Sequence, residues 1–338
     1  MSNATIEMLH NYHQTAKSLN LEKRLQLKEL LGITEEDENR LIGLENEDEF
    51  AVRLYALEWV NSFSGIEEGI AQVTKTKTTD LFVETVQGRK LSIEVKSSKN
   101  PEISFTRKLV EDKEKFSQKH SHECFFAIKL AGHWMLFSSE YILSRGCKIS
   151  LEKDYLNSKM NEIFGERLFY FPKGLEIVTT YSKSKNGICG IKNKYGNAIR
   201  IAIKVNGRRK FLITSNNSGY VFLSIVLEAV ENSMSNQDQT VNKVDDDKTN
   251  VIEYLRENMI ISFSNILTAP ILHTINAEFD ENFSFQTYVE AMKKKEHSNL
   301  LNRKMVLGAL ALFDSEYPIS MSMDNENFYL LKDWMISE

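Results

Sequence analysis

The chain has 338 residues, a mass of 39.0 kDa and a net charge of −5, with 42% hydrophobic and 26% charged residues. At ~100–200 residues per domain it can hold two domains with separate cores, and this composition excludes a disordered or collagen-like chain. The apolar run Tyr220–Leu227 already contains Ser224 and stops at Glu228, against the ~20 residues that a membrane span needs. The N-terminus lacks a basic segment followed by an apolar one, and Cys124, Cys147 and Cys189 form no CxxC pair. A cytoplasmic protein without disulfides or a membrane partner is expected.

Residues 1–48 carry ten Asp/Glu against five Lys/Arg. Leu21, Leu25, Leu27, Leu30 and Leu31 form a rough helical stripe, and Thr34-Glu35-Glu36-Asp37 has the N-cap and acidic first turn of another helix. No cluster there suggests chemistry, so 1–48 reads as a helical appendage. From Glu49 to Phe63 the apolar residues Phe50, Leu54 and Leu57 recur at helical spacing with no Gly or Pro between them, which predicts a helix. Strands are expected over Asp80–Thr85, Lys90–Lys96, His122–Leu130 and His133–Ser138, with Gln87-Gly88-Arg89 as a hairpin turn. The charged stretch 106–119 favours a helix. The order helix, hairpin, helix, hairpin describes an α/β (α+β) unit over 49–150.

A β-rich region follows over 173–232, with strands near 175–181, 188–192, 197–205 and 208–215 between Asn- and Gly-containing turns. Residues 233–250 are polar and read as a linker. Residues 251–338 read as mainly helical, with helix candidates at 284–295 and 302–313. A hairpin across Ile319–Leu331 then gives a winged-helix-like pattern.

The chemistry concentrates at Asp80 and Glu94-Val95-Lys96. On a strand over 90–96 side chains alternate, so Ile93 and Val95 face one side while Glu94 and Lys96 share the other. The hairpin can bring Asp80 to the same edge. Two carboxylates and an ammonium on a rigid platform suit Mg²⁺, which takes oxygen ligands and keeps several waters. One such water can attack a phosphodiester while the metal and Lys96 offset charge at phosphorus. The competing reading is a solvent-facing Glu–Lys pair on an edge strand, with Asp80 in a turn.

This pattern resembles the PD-(D/E)xK nuclease superfamily, which includes many restriction endonucleases and archaeal-type Holliday junction resolvases. The resemblance covers roughly residues 45–140. It implies a restriction endonuclease-like core, a mixed central sheet flanked by helices, with Mg²⁺ as cofactor and Mn²⁺ able to substitute. Carried over, Asp80 and Glu94 are metal ligands, the Val95 carbonyl contributes to the metal, and Lys96 is the catalytic lysine. Such families commonly add a carboxylate from the preceding helix, for which Glu49 is the best match and Glu58 the fallback. Thr79 stands where the family pattern has proline, and Ser97 and Ser98 follow the lysine.

The acid-x-lysine spacing recurs at Glu111-Asp112-Lys113, in a charged helix candidate, and at Asp246-Asp247-Lys248, in the linker. Only Glu94 sits in an apolar strand preceded by an aspartate-led strand and a long helix, and that context selects it. His120 and His122 have no evident third ligand. No GK[ST]-ended glycine loop and no G-x-S-x-G elbow is present.

Between Glu176 and Glu228 there is no acidic residue but nine basic ones: Lys183, Lys185, Lys192, Lys194, Arg200, Lys204, Arg208, Arg209 and Lys210. Such a surface can follow a phosphate backbone, or it can be a solvated face or pair with an acidic partner. Tyr181, Tyr195 and Phe211 are available for stacking or for the core. Together these features lead to a metal-dependent DNA endonuclease, with RNA not excluded. The resemblance adds a restriction or anti-phage role, or a resolvase or transposon-end nuclease. Cutting two strands implies a homodimer or larger assembly, and a partner protein is possible. The reading from another class is a non-catalytic nucleic-acid-binding or scaffold subunit that keeps the fold.

Overall fold

The computed structural model describes residues 8–9, 12, 15, 19, 21–66, 78–188, 191–217, 223, 226–227, 239–268, 303–324 and 327–331. Among them, those up to Gly165 form one compact unit and those from Glu166 onward a second.

The first unit opens with α1 (Leu21–Leu31) and α2 (Glu35–Ala56). Leu27 and Leu31 pack on a small cluster of Leu9, Tyr12 and Ile33, while Leu25 and Leu30 of the same leucine stripe are exposed. Thr34 and Asp37 form a capping box: the Thr34 hydroxyl accepts from the Asp37 amide and the Asp37 carboxylate accepts from the Thr34 amide. Such a cap contributes ~1 kcal/mol. The acidic start at Thr34 and the apolar run from Phe50 are therefore one helix of 22 residues, where the sequence suggested two. Phe50, Leu54 and Leu57 are fully buried. The expected continuation to Phe63 does not form. Glu58 turns into the left-handed region at φ 56°, and Val60–Gly65 becomes strand β1, exposed along nearly its whole length.

Strand β1 lies at the edge of a five-stranded sheet with β2 (Leu81–Thr85), β3 (Lys90–Ser98), β5 (Glu123–Leu130) and β6 (His133–Ser138), in the order β1-β2-β3-β5-β6. Short β4 (Glu102–Ser104) pairs separately with β7 (Lys148–Ser150). Strands β2 and β3 form the expected hairpin, with Leu81 opposite Ile93. Gly88 sits in its turn at φ 78°, where a side chain would be strained. Strands β3 and β5 run parallel, with Glu94 beside Phe126, and α3 (Arg107–Lys119) makes the crossover. The sheet is thus mixed, with α2 and α3 on opposite faces. Asn46 of α2 donates to Ser97 Oγ (3.0 Å), whereas Phe116 of α3 stacks on Phe82. Beyond β6, α4 (Ser139–Ser144) closes a core of Val110, Phe126, Ile128, Met135, Phe137 and Ile142.

In the second unit β8 (Leu168–Phe171) precedes β9 (Leu175–Ser182), β10 (Lys192–Asn193), β11 (Gly196–Val205) and β12 (Arg208–Thr214). Residues 233–250 do not form a linker throughout. Residues 233–238 lie outside the described set, and β13 (Gln239–Lys243) with β14 (Lys248–Tyr254) forms a hairpin whose second strand pairs with β9. The Asp245 carboxylate accepts from the amides of Asp247 (2.9 Å) and Lys248 (2.6 Å), so the acidic run is turn chemistry. Strand β13 is exposed at every residue, which is why no apolar pattern marked it. The six-stranded sheet runs β10-β11-β9-β14-β13, with β12 also paired to β11.

The helical expectation for 251–338 is corrected at its start, where β14 continues and β15 (Met259–Ser262) follows. Residues 263–268 are helical, and α5 (Arg303–Asp314) matches the candidate at 302–313. The candidate at 284–295 lies outside the described residues. The expected hairpin is present as β16 (Ser320–Ser322) and β17 (Phe328–Leu330), but it joins a four-stranded sheet ordered β15-β8-β16-β17. Among the described residues no helix is long and apolar enough to cross a membrane.

Candidate active site

Strand β3 is buried on both faces, yet it carries Glu94 at 2% exposure. Ile93 and Val95 face α2, and Glu94 faces α3. Asp80 is tied into the hairpin by its own amide, which donates to the Ile93 carbonyl (3.0 Å). Its carboxylate Oδ2 accepts from the Val95 amide (2.7 Å). The Lys96 ammonium folds back into this group. Its Nζ lies 2.7 Å from Glu94 Oε1 and 4.0 Å from Asp80 Oδ2, and it donates to the Val95 carbonyl at 3.0 Å. Asp80, Glu94, Val95 and Lys96 are therefore brought together as one cluster.

The electrostatics follow from burying carboxylates side by side. Burial pushes the Asp80 carboxyl up to about 6, with Glu94 adding to the shift and Lys96, the Val95 amide and Lys113 opposing it. Burial alone would lower the Lys96 ammonium, but Glu94 and Asp80 more than offset that and hold it above its ordinary value.

The helix carboxylate that shares this field is Glu47. Burial raises it to about 8, reinforced by Asp80 and Glu94 and opposed by Lys96. Glu49 is placed elsewhere. Its carboxylate takes a salt bridge from Arg53 (2.9 Å), a hydrogen bond from Trp134 Nε1 (2.9 Å) and a further ion pair from Lys129. Although burial pushes Glu49 up, Arg53 and Lys129 hold it below the usual carboxylate range. Two residues along an α-helix is a turn of ~200°, so Glu47 and Glu49 face opposite ways. Glu58 is exposed beyond the helix end. The Glu49–Arg53 spacing of four was the signal for a structural pair.

Sequence reasoning also missed Lys113, set aside with its acid-x-lysine triplet. Its ammonium is buried 2.6 Å from Glu94 Oε2 and donates to the Thr78 carbonyl. Its signal was its position between Val110 and Phe116, on the buried stripe of α3.

Among the described residues no three His, Cys, Asp or Glu side chains converge tightly enough to hold a metal ion as they stand. The donor chemistry nonetheless fits a hard divalent cation. Asp80, Glu94 and the Val95 carbonyl supply oxygen, and a cation, the Lys96 ammonium, already sits among them. His122 is used otherwise, with Nδ1 3.2 Å from Ser92 Oγ and its ring edge-on to Phe82.

The nine basic residues of 183–210 do not form one patch. Asn197 of β11 is paired with Ser182 and Val205 with Leu175, so Lys183, Lys185, Lys192 and Lys194 lie at one end of the sheet. Lys204, Arg208, Arg209 and Lys210 lie at the other, ~25 Å away by strand rise, with Arg200 between them. The first end also holds the Asp245–Asp247 turn, where Asp247 accepts from Ser182 Oγ (2.7 Å). At the second end Lys204 pairs with Glu176 (2.6 Å) and Lys210 with Glu316 (2.8 Å), while Arg208 and Arg209 are exposed. Phe211 is core, against Phe313. Tyr181 and Tyr195 lie near each other, with Lys194 over the Tyr195 ring.

No family model matches the chain, and no curated protein does. Among solved structures it is similar to Hjc from Archaeoglobus fulgidus, a Holliday junction resolvase from an archaeal hyperthermophile. That similarity has 22% identity and a TM-score of 0.26, and covers 29% of this chain and 78% of that one. A TM-score of this size is too low to assign a fold.

Proposed function

We propose that the chain is a divalent-metal-dependent nuclease that hydrolyses DNA phosphodiester bonds. The observation that carries this reading is the single cluster of Asp80, Glu94, the Val95 carbonyl and Lys96, with Glu47 coupled to it from α2. Asp80, Glu94 and Val95 would hold Mg²⁺ or Mn²⁺, and Glu47 replaces Glu49 as the helix carboxylate. When bound, the metal would supply charge stabilisation at the scissile phosphate and polarise an attacking water.

This chain's residues supply the rest. The Val95 amide fixes the Asp80 carboxylate, so one oxygen is committed to the backbone and the other is left for the cation. Lys96 is a positive charge on a flexible stem at the partly exposed side of the cluster. Released from Glu94, it can offset charge that develops on the phosphate. Arg208, Arg209 and the lysines of 183–194 are the groups offered to the nucleic-acid backbone. Cleavage of both strands of a duplex requires two such sites, hence a dimer or larger assembly.

The test is cleavage of plasmid, linear duplex, single-stranded and branched DNA in Mg²⁺, Mn²⁺ and EDTA, with Asp80→Ala and Lys96→Ala beside the parent. Metal-dependent products that vanish in both variants are expected. Parent-level cutting by either variant would overturn the site. No metal-dependent cutting of any substrate would favour the non-catalytic scaffold.

A further inference from the structure

Two lysines hold the one buried carboxylate of β3, and they differ in kind. Lys96 reaches Glu94 Oε1 with a side chain that keeps 36% of its exposure, whereas Lys113 reaches Oε2 with a side chain at 7%. Lys113 stands on the buried stripe of α3 with Val110, Phe116 and Ser117. A buried ammonium is unfavourable unless its charge and hydrogen bonds are satisfied, and a buried carboxylate carries the same requirement. Lys113 has its charge opposed by Glu94 Oε2, with which it makes an ion pair but no hydrogen bond, and it donates its hydrogen bond to the Thr78 carbonyl. Its side chain is almost wholly covered, whereas that of Lys96 is partly exposed.

Thr78 lies two residues before Asp80, so the Lys113 ammonium ties together the segment leading to Asp80 and the side chain of Glu94. If a metal enters the cluster, it meets the Lys96 ammonium on Glu94 Oε1 and beside Asp80 Oδ2. Both cations claim Glu94 Oε1, whereas Asp80 has its Oδ2 taken by the Val95 amide and offers a metal its other oxygen. A metal that took Glu94 Oε1 would displace Lys96 toward solvent, and Glu94 would then keep its orientation through its other oxygen.

We propose that Lys113 is the positioning residue of the site: it anchors Glu94 by Oε2 and the Thr78 carbonyl, so that Oε1 stays aimed at the cation position when Lys96 leaves it. Lys113 touches neither substrate nor metal. It acts through Glu94, and Lys96 is the displaceable cation. This inference rests on the metal-dependent reading above, and metal affinity is the property that separates the two lysines.

The experiment is Mn²⁺ titration calorimetry on the full chain, comparing the parent with Lys113→Met and Lys96→Met, alongside circular dichroism and cleavage at varied Mn²⁺. Loss of a group that orients a metal ligand typically weakens binding about 10–100-fold. Lys113→Met is expected to weaken Mn²⁺ binding by at least about tenfold and to raise the Mn²⁺ concentration needed for half-maximal cleavage more than it lowers kcat. Lys96→Met is expected to bind Mn²⁺ at least as tightly as the parent, because a competing cation is gone, and to lose cleavage.

A folded Lys113→Met protein that binds Mn²⁺ with parental affinity overturns the proposal. So does a Lys96→Met protein whose affinity falls as far as that of Lys113→Met. Should Lys113→Met not fold, Lys113→Gln, which keeps a donor but no charge, is judged by the same criterion. A parent that binds no Mn²⁺ overturns the metal-dependent reading itself. A parent that binds it while both Lys113 variants match it overturns only the role of Lys113.

Discussion

Glu47 and Glu49 stand two residues apart on α2 and serve opposite sides of the helix. Glu49 is locked by Arg53, Trp134 and Lys129. Glu47 has its charge opposed by Asp80 and Glu94, with Lys96 the nearby group that favours its ionised form. One carboxylate holds the helix to the sheet, and the other lies within the field of the candidate metal ligands.

Substitution separates the two roles. Glu49→Ala leaves Arg53, which is buried, and Lys129 facing a lost partner, and breaking a buried ion pair from one side costs about 3–5 kcal/mol. Glu49→Ala is expected to lower the midpoint of urea unfolding sharply. Glu47→Gln is expected to keep or raise that midpoint near neutral pH and to lose metal-dependent cleavage. A Glu47→Gln protein that cuts like the parent would remove Glu47 from the site.

The same carboxylates set a pH dependence in the metal-free protein. Glu47 is raised from 4.5 to about 8 and Asp80 from 3.8 to about 6. A carboxyl raised on folding binds its proton more tightly in the native state, so its stabilising contribution is complete below the unfolded pKa and is lost as pH rises through the folded one. Glu49 is lowered instead, so its contribution is present above pH 4.5 and fades only in acid. The raised Lys96 loses its contribution only above 10.5. Burial lowers His122 and His133, whose contribution rises with pH only up to 6.5, so above pH 7 and up to 9 the melting temperature in EDTA is expected to fall. Glu47→Gln should flatten the upper part of that fall, and added Mg²⁺ should reverse it. A parent curve that rises over this window would contradict the arrangement of Glu47 and Asp80.

The site was legible where one strand's alternation decided it and obscure where a second element entered. Glu94 and Lys96 follow from their place among Ile93 and Val95, and Asp80 from the hairpin. Glu47 was missed because helical phase, not proximity to the apolar run, decides which acid faces the sheet edge. Lys113 was missed because acid-x-lysine drew attention to its neighbours Glu111 and Asp112 when its helical neighbours Val110 and Phe116 were the ones that mattered. Strand β13 buries nothing, so it left no pattern to read. The acid-free interval 177–227 looked like one basic surface because the partners Glu176, Asp247 and Glu316 stand outside it in sequence.

That last redistribution of charge makes a prediction about nucleic-acid binding. Lys204 and Lys210 are engaged with Glu176 and Glu316, whereas Arg208 and Arg209 are exposed at the β11–β12 turn. A phosphate contact gives an affinity that falls with salt, and each one lost reduces the slope of log affinity against log salt by about 0.9. Arg208→Ala combined with Arg209→Ala is expected to weaken binding to every DNA sequence about equally and to reduce that slope by up to about 2. Lys204→Ala should leave the slope unchanged, because the charge it removes is already opposed by Glu176. Fluorescence anisotropy of a labelled duplex between low and moderate salt measures both. If the double arginine variant keeps the parental slope, this end of the sheet does not contact DNA. If Lys204→Ala flattens the slope as much, its pairing with Glu176 gives way in the complex.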